Sequence, residues 1–291
     1  MKNILIVIGF LILLFIVWAA AGGPERFSNK GFFLSSPNAP RILTLERSER
    51  ALSDTEGQFF ASLGEASPLQ EKLFFSKRTT GAREIDPKDE YVIIEASRSN
   101  TNPVVISGMR LSSPISGKNY PIPDGVITPN SNVVSSENPI SLNPGESAVI
   151  VSGQSPIGVS FRLNKCTGYL ENFQNFTPDL PRSCPRPEEE LFAKQNVVQE
   201  FNNECIDFIE RLPRCETFLG QLPLGYTNAC RQFIANDLTY AGCVENHRSD
   251  SDFNVDEWRV YLGRNEELWR EKREIIRLLD REGKVVDALT Y

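Results

Sequence analysis

The chain has 291 residues, 40% of them hydrophobic and 24% charged, with a formal charge of -7. This composition excludes a disordered polar tract, and the acidic balance lacks the basic stripe of a nucleic-acid binder. Neither cofactor nor nucleic acid is expected.

Eighteen residues, Ile4–Ala21, carry no charge. As a helix they cover roughly 27 Å, close to the hydrocarbon thickness of a bilayer. Lys2 and the terminal amine favour a cytoplasmic N-terminus, with Trp18 at the outer interface. The segment is read as a retained signal anchor. The alternative is a signal peptide cleaved beside the small residues Ala19-Ala20-Ala21. Either outcome places the rest of the chain outside the cytoplasm, so residues 1–23 form the targeting element. Residues 24–69 read as a stalk or linker, with a short strand at Arg41–Leu45 and an amphipathic helix over Glu46–Leu63 weakened by Gly57.

From residue 70 to 163 the pattern becomes short strands separated by turns. The candidates are Lys72–Lys77, Tyr91–Ala96, a bent strand within Pro103–Ser112, and an edge-like strand at Asn119–Gly125 whose prolines exclude a central place. Ile140–Leu142 follows, then the turn Asn143-Pro144-Gly145-Glu146 and the β-branched run Ser147–Ser152, which suits a covered strand. Ser160–Leu163 is the last of this group. The order predicts a small β-sandwich in place of alternating βα units.

All six cysteines then fall in one stretch: Cys166, Cys184, Cys205, Cys215, Cys230 and Cys243. The closest two are ten positions apart, whereas zinc sites and redox dithiols normally contain a close pair. Three structural disulfides are expected, with fifteen possible pairings. Short helices are predicted from Pro187, from Asn203 to Arg211 and over Ala229–Asp237. Glu188–Glu190 read as a solvated first turn favoured by the helix dipole. Residues 164–255 are thus a cysteine-rich helical insertion. Residues 256–291 close the chain, with a strand at Asp256–Leu262, a short helix over Glu266–Glu274 and a hairpin turning near Glu282-Gly283.

The order of the β pieces resembles the lamin tail domain family. The similarity is carried by Glu90–Ile94, Val105–Leu111, Ile122–Gly125, Leu142–Ile150 and Ile276–Asp287, across about 83–163 and 273–291. It departs at Gly108-Met109, where the family often has Gly-Trp, and in the insertion before the last hairpin. The resemblance implies an immunoglobulin-like β-sandwich used as an accessory module of exported bacterial proteins, in a membrane-anchored subfamily.

Candidate chemistry is sparse. His247 is the sole histidine, and a lone polar histidine is usually solvated. Asp250, Asp252, Asn254 and Asp256 alternate like the start of a calcium loop, but Val255 and Tyr261 occupy positions that an EF-hand gives to Gly and Glu. Tyr169, Phe173, Phe176, Tyr240, Trp258, Tyr261 and Trp269 form either a binding surface or the small core of the insert. Asn175-Phe176-Thr177 matches a glycosylation sequon. The expectation is a non-enzymatic surface or envelope module that contacts the membrane through Ile4–Ala21 and holds an envelope protein or wall polymer. The alternatives are a self-associating structural subunit and an extracytoplasmic carbohydrate-active enzyme.

Overall fold

The computed structural model describes residues 62–77, 81–129, 136–194 and 199–291, all within the unit Glu56–Tyr291. The expected anchor Ile4–Ala21, the strand Arg41–Leu45 and nearly all of the stalk lie outside the described residues. Among the described residues the chain is mainly β, with several sheets, short helices and three disulfides.

The longer strands form over runs rich in β-branched and aromatic residues. They are β1 (Leu73–Phe75), β2 (Tyr91–Ala96), β3 (Val104–Val105), β4 (Arg110–Ser112), β5 (Asn119–Pro121), β6 (Ser141–Leu142), β7 (Ser147–Val151), β8 (Phe161–Asn164), β9 (Asn254–Tyr261), β10 (Ile275–Leu279) and β11 (Val285–Thr290). One sheet has the order β1-β2-β7-β9-β8, a second β11-β10-β4-β5, and a small third pairs β3 with β6. Val92, Ile94, Ala148, Ile150 and Val260 of the first sheet share one apolar cluster with Leu111, Ile276, Leu278 and Val286 of the second. Each valine, leucine or isoleucine among them contributes about 1.5–3 kcal/mol when fully buried. β7 is covered on both faces. Ala148 and Ile150 enter this core, while Val149 and Val151 enter a second cluster with Phe161, Leu163, Phe176 and Leu180. A strand buried on both sides needs an unbroken apolar run, which Ala148–Val151 supplies. β5 lies at an edge, as its proline requires.

The central strand pairing joins parts of the chain far apart in sequence. β9 runs parallel to β7, with Ser147 opposite Glu257 and Val151 opposite Tyr261. Its other side pairs antiparallel with β8, where Asn164 faces Asn254. Lys165 N donates to Phe253 O at 2.9 Å just beyond that pair. The cysteine-rich insert therefore leaves and re-enters the sheet between two neighbouring strands.

The insert contains α1 (Pro187–Ala193), α2 (Asn203–Ile209), α3 (Asn228–Asn236) and α4 (Tyr240–His247). Thr227 and Thr239 cap α3 and α4, their hydroxyls accepting from Cys230 N and Gly242 N at 3.2 and 3.1 Å. The disulfides are Cys166–Cys243, Cys184–Cys215 and Cys205–Cys230. The last lies in the insert's own core with Leu191, Ile209, Phe233 and Ile234.

Two local expectations are corrected. Glu266–Glu274 is not a helix. Leu268 and Trp269 are buried there, and their backbone N–H groups donate to Glu90 Oε2 and Oε1, each at 2.8 Å. Glu274, 1% exposed, accepts from Ser113 Oγ at 2.7 Å and Arg270 N at 3.0 Å. Two carboxylates thus satisfy backbone and side-chain donors that a helix would have satisfied differently. The second correction concerns Glu190, which is 1% exposed and not part of a solvated helix start.

The segment entering the domain also docks. Ser67 N donates to Val285 O and Val285 N to Glu65 O, at 2.9 and 2.7 Å, so residues 65–67 lie along the outer edge of β11. Covering an edge in this way protects it from pairing with another chain.

Candidate functional site

Three loops meet at one end of the sheets and enclose an open cleft of about 570 Å³. They are the residues before β1, the polar loop after β2 and the turn between β10 and β11. Lys72, Asn100, Asn102, Val105, Arg281 and Glu282 are among its lining residues. Each loop is held by its own bonds. Asn100 Nδ2 donates to Lys72 O at 2.9 Å, and Ser97 and Ser99 hydroxyls lie 2.8 Å apart. In the β10–β11 turn, Glu282 N and Lys284 N donate to Asp280 Oδ1 at 3.0 and 2.8 Å. Arg281 reaches across from this turn, its Nε and Nη2 donating to Ser107 O at 3.1 and 2.8 Å. The close approach needs Gly108, since a Cβ there would lie 3.2 Å from Arg281 Nε and its φ is +81°.

The cleft offers cationic donors from Lys72 and Arg281, amides from Asn100 and Asn102, and acceptors from Glu71 and Glu282. Val104, Val105 and Met109 add apolar surface, with Val105 38% exposed. Such mixed chemistry can orient an uncharged or zwitterionic polymer by many modest hydrogen bonds. No histidine lines it, because the single imidazole lies in the insert.

His247 is far from solvated. Its Nε2 lies 2.8 Å from Glu190 Oε1 and its Nδ1 2.8 Å from Asp250 Oδ2. Asn246 Nδ2 links Glu190 to Asp237, which also meets Lys194. Burial pushes the Glu190 carboxyl above its ordinary range, opposed by His247. This network ties α1 to α4.

The proposed cation-loop residues are occupied by the chain's own charges. Lys165 Nζ contacts Asp250 Oδ2 at 3.0 Å and Asp252 Oδ1 at 2.6 Å. The His247 and Lys165 hydrogen bonds hold the Asp250 carboxyl below its ordinary range, and Lys165 does so for Asp252. Asn254 opens β9 opposite Asn164, while Asp256 lies 3.7 Å from Arg162 Nη2. Among the described residues no group of three or more His, Cys, Asp or Glu side chains is arranged to hold a metal ion.

Of the aromatic candidates, Tyr169, Phe176, Trp258, Tyr261 and Trp269 are buried, and Tyr240 is partly buried. Phe173 alone of this set is strongly exposed, at 63%. The sequon residue Asn175 is exposed, whereas Thr177 Oγ1 donates to Asp89 Oδ1 at 2.8 Å.

Sequence reasoning located the hairpin turn, but neither the loop after β2 nor the convergence of the three loops, which depends on strand order. It also missed Glu90 and Glu190. Their partners lie 178 and 57 positions away, so no local spacing marks them. The chain matches no protein-family model, no curated protein and no solved structure.

Proposed function

We propose that this chain is a non-enzymatic binding module, anchored through Ile4–Ala21 and displayed outside the cytoplasm, that holds a surface protein or wall polymer. The observation that carries the reading is the cleft at the sheet end. It brings donors, acceptors and apolar surface together on three loops fixed by their own hydrogen bonds. Loops on a rigid scaffold are the usual place for recognition.

The fold reading is a lamin-tail-like, immunoglobulin-like sandwich. Its support is the shared core between two sheets and the closing hairpin β10–β11. The three disulfides accord with an oxidising, extracytoplasmic compartment.

The test uses the full chain, purified in detergent and incubated separately with isolated wall polymer and solubilised envelope proteins. Retention by one fraction is expected, and Lys72→Glu combined with Asn102→Asp should weaken it about tenfold, equivalent to about 1.4 kcal/mol. Both substitutions are on the surface, so thermal unfolding should be nearly unchanged. Absence of retention, or retention indifferent to the substitutions, rejects the cleft as the binding site. Concentration-dependent self-association without either fraction would favour a structural envelope subunit instead.

A further inference from the structure

The three disulfides are not equivalent. Cys166, Cys184, Cys205, Cys230 and Cys243 are each 0% exposed, whereas Cys215 is 4% exposed. Cys215 also lines a second open cleft, about 440 Å³, with Gly168, Asn172, Thr217 and Phe218. Gly168 lets Cys215 Sγ pack close against its backbone beside that cleft, since a Cβ there would lie 2.5 Å from the sulfur. The backbone of Cys215 is left-handed, with φ +56°, a conformation that costs a non-glycine residue energy. It is pinned there by Asn172, whose Nδ2 donates to Cys215 O at 2.8 Å and whose Oδ1 accepts from Thr217 N at 3.2 Å.

We propose that Cys184–Cys215 is a thiol–disulfide exchange site whose co-substrate is an external dithiol. The inference does not depend on what the cleft at the sheet end binds. A dithiol thiolate entering the insert's cleft attacks Cys215 Sγ. A new sulfur–sulfur bond forms, the Cys184–Cys215 bond breaks, and its electron pair passes to Cys184 Sγ. Cys184 takes up a proton and can donate it to Cys166 O, 3.8 Å from its sulfur. The second thiol of the reagent then attacks its partner sulfur and releases Cys215 as thiolate. Cys184 N, 3.2 Å from Cys215 Sγ, donates to that leaving group. Cys215 then takes up the proton shed by the second thiol, so the protein gains two electrons and two protons and the dithiol becomes a cyclic disulfide.

The mechanical result is local. Residues between Cys166 and Cys184 include Phe176 and Leu180, which cover the outer face of the five-stranded sheet. Exchange releases their far end from the loop at Cys215, while Cys166–Cys243 and Cys205–Cys230 continue to hold the helices.

The test treats the oxidised full chain under native conditions with graded dithiothreitol. Free thiols are trapped with light iodoacetamide, then the remaining bonds are reduced in denaturant and labelled with the heavy reagent. Peptide mass spectrometry should show Cys184 and Cys215 labelled about tenfold faster than the other four cysteines. Earlier labelling of either other pair, or simultaneous labelling of all six, overturns the proposal. A Cys184→Ser/Cys215→Ser double variant checks locality. Its remaining cysteines should stay protected at the dithiol concentration that opens the wild-type bond, and their labelling there would also overturn it.

Discussion

Glu90 is 0% exposed, and its two oxygens accept the backbone N–H groups of Leu268 and Trp269. Those bonds favour the ionised form, but burial outweighs them and raises the carboxyl above its ordinary 4.5. A raised folded value makes its contribution fully present below the unfolded value and lost as pH rises through the folded one. Glu90→Gln stays neutral throughout. The variant should be destabilised by about 1–3 kcal/mol at acid pH, because its NH2 only donates and leaves one backbone N–H unpaired, whereas the hydroxyl oxygen of the protonated carboxyl can still accept. The stability gap between wild type and variant should then narrow as pH rises from about 4 to 7. Urea unfolding across that range measures it, and a constant gap would show that Glu90 keeps an ordinary titration. Asp250 and Asp252 have the opposite sign, since their folded values are lowered. Their contribution is present above the unfolded value of about 3.8 and disappears as pH falls through the folded one.

At the next scale, the end of β7 meets the connection before β2 at Gly153. A Cβ there would lie 2.8 Å from both Lys88 Cα and Pro87 O, which are backbone atoms unable to rotate away. Gly153→Ala should therefore cost about 1–3 kcal/mol through forced displacement of that connection. Gly158 is the control. It has φ +84° but open space around its absent side chain, so Gly158→Ala should cost only about 1–2 kcal/mol of backbone strain. Thermal unfolding of the two variants tests the difference, and an equal or reversed order would deny the close approach at Gly153. These elements differ greatly in how readable they were. β2, β7 and the β10–β11 hairpin were legible because alternation, β-branching and a Glu-Gly turn are local signals. α4 was not, since Cys243 is its only fully buried residue and it presents no apolar stripe. The false helix at Glu266–Glu274 arose from local charge spacing, overruled by Glu90 from another part of the chain.

For the whole molecule, the division of labour is between sheets held by a shared apolar core and helices held by cross-links. The insert's four helices among the described residues span seven, seven, nine and eight residues, lengths that are marginal alone in water. Complete reduction, removing roughly 2–4 kcal/mol per bond, should diminish helical circular dichroism at lower denaturant than the β signal. Simultaneous loss of both signals, before and after reduction, would instead establish one cooperative unit. The existence of cross-links was legible from six clustered cysteines, but their pairing was not, because loop geometry chooses among the alternatives. The cleft was likewise hidden, although its hairpin turn was visible as sequence. Asn164 and Asn254 have a broader consequence, because they stand opposite each other across β8 and β9. They make this strand pair the doorway of a lining that the insert itself supplies, for Phe176 and Leu180 return from it to cover Val149 and Val151. An Asn-Gly turn joining the two residues would shorten the path but leave the outer face of β7 bare.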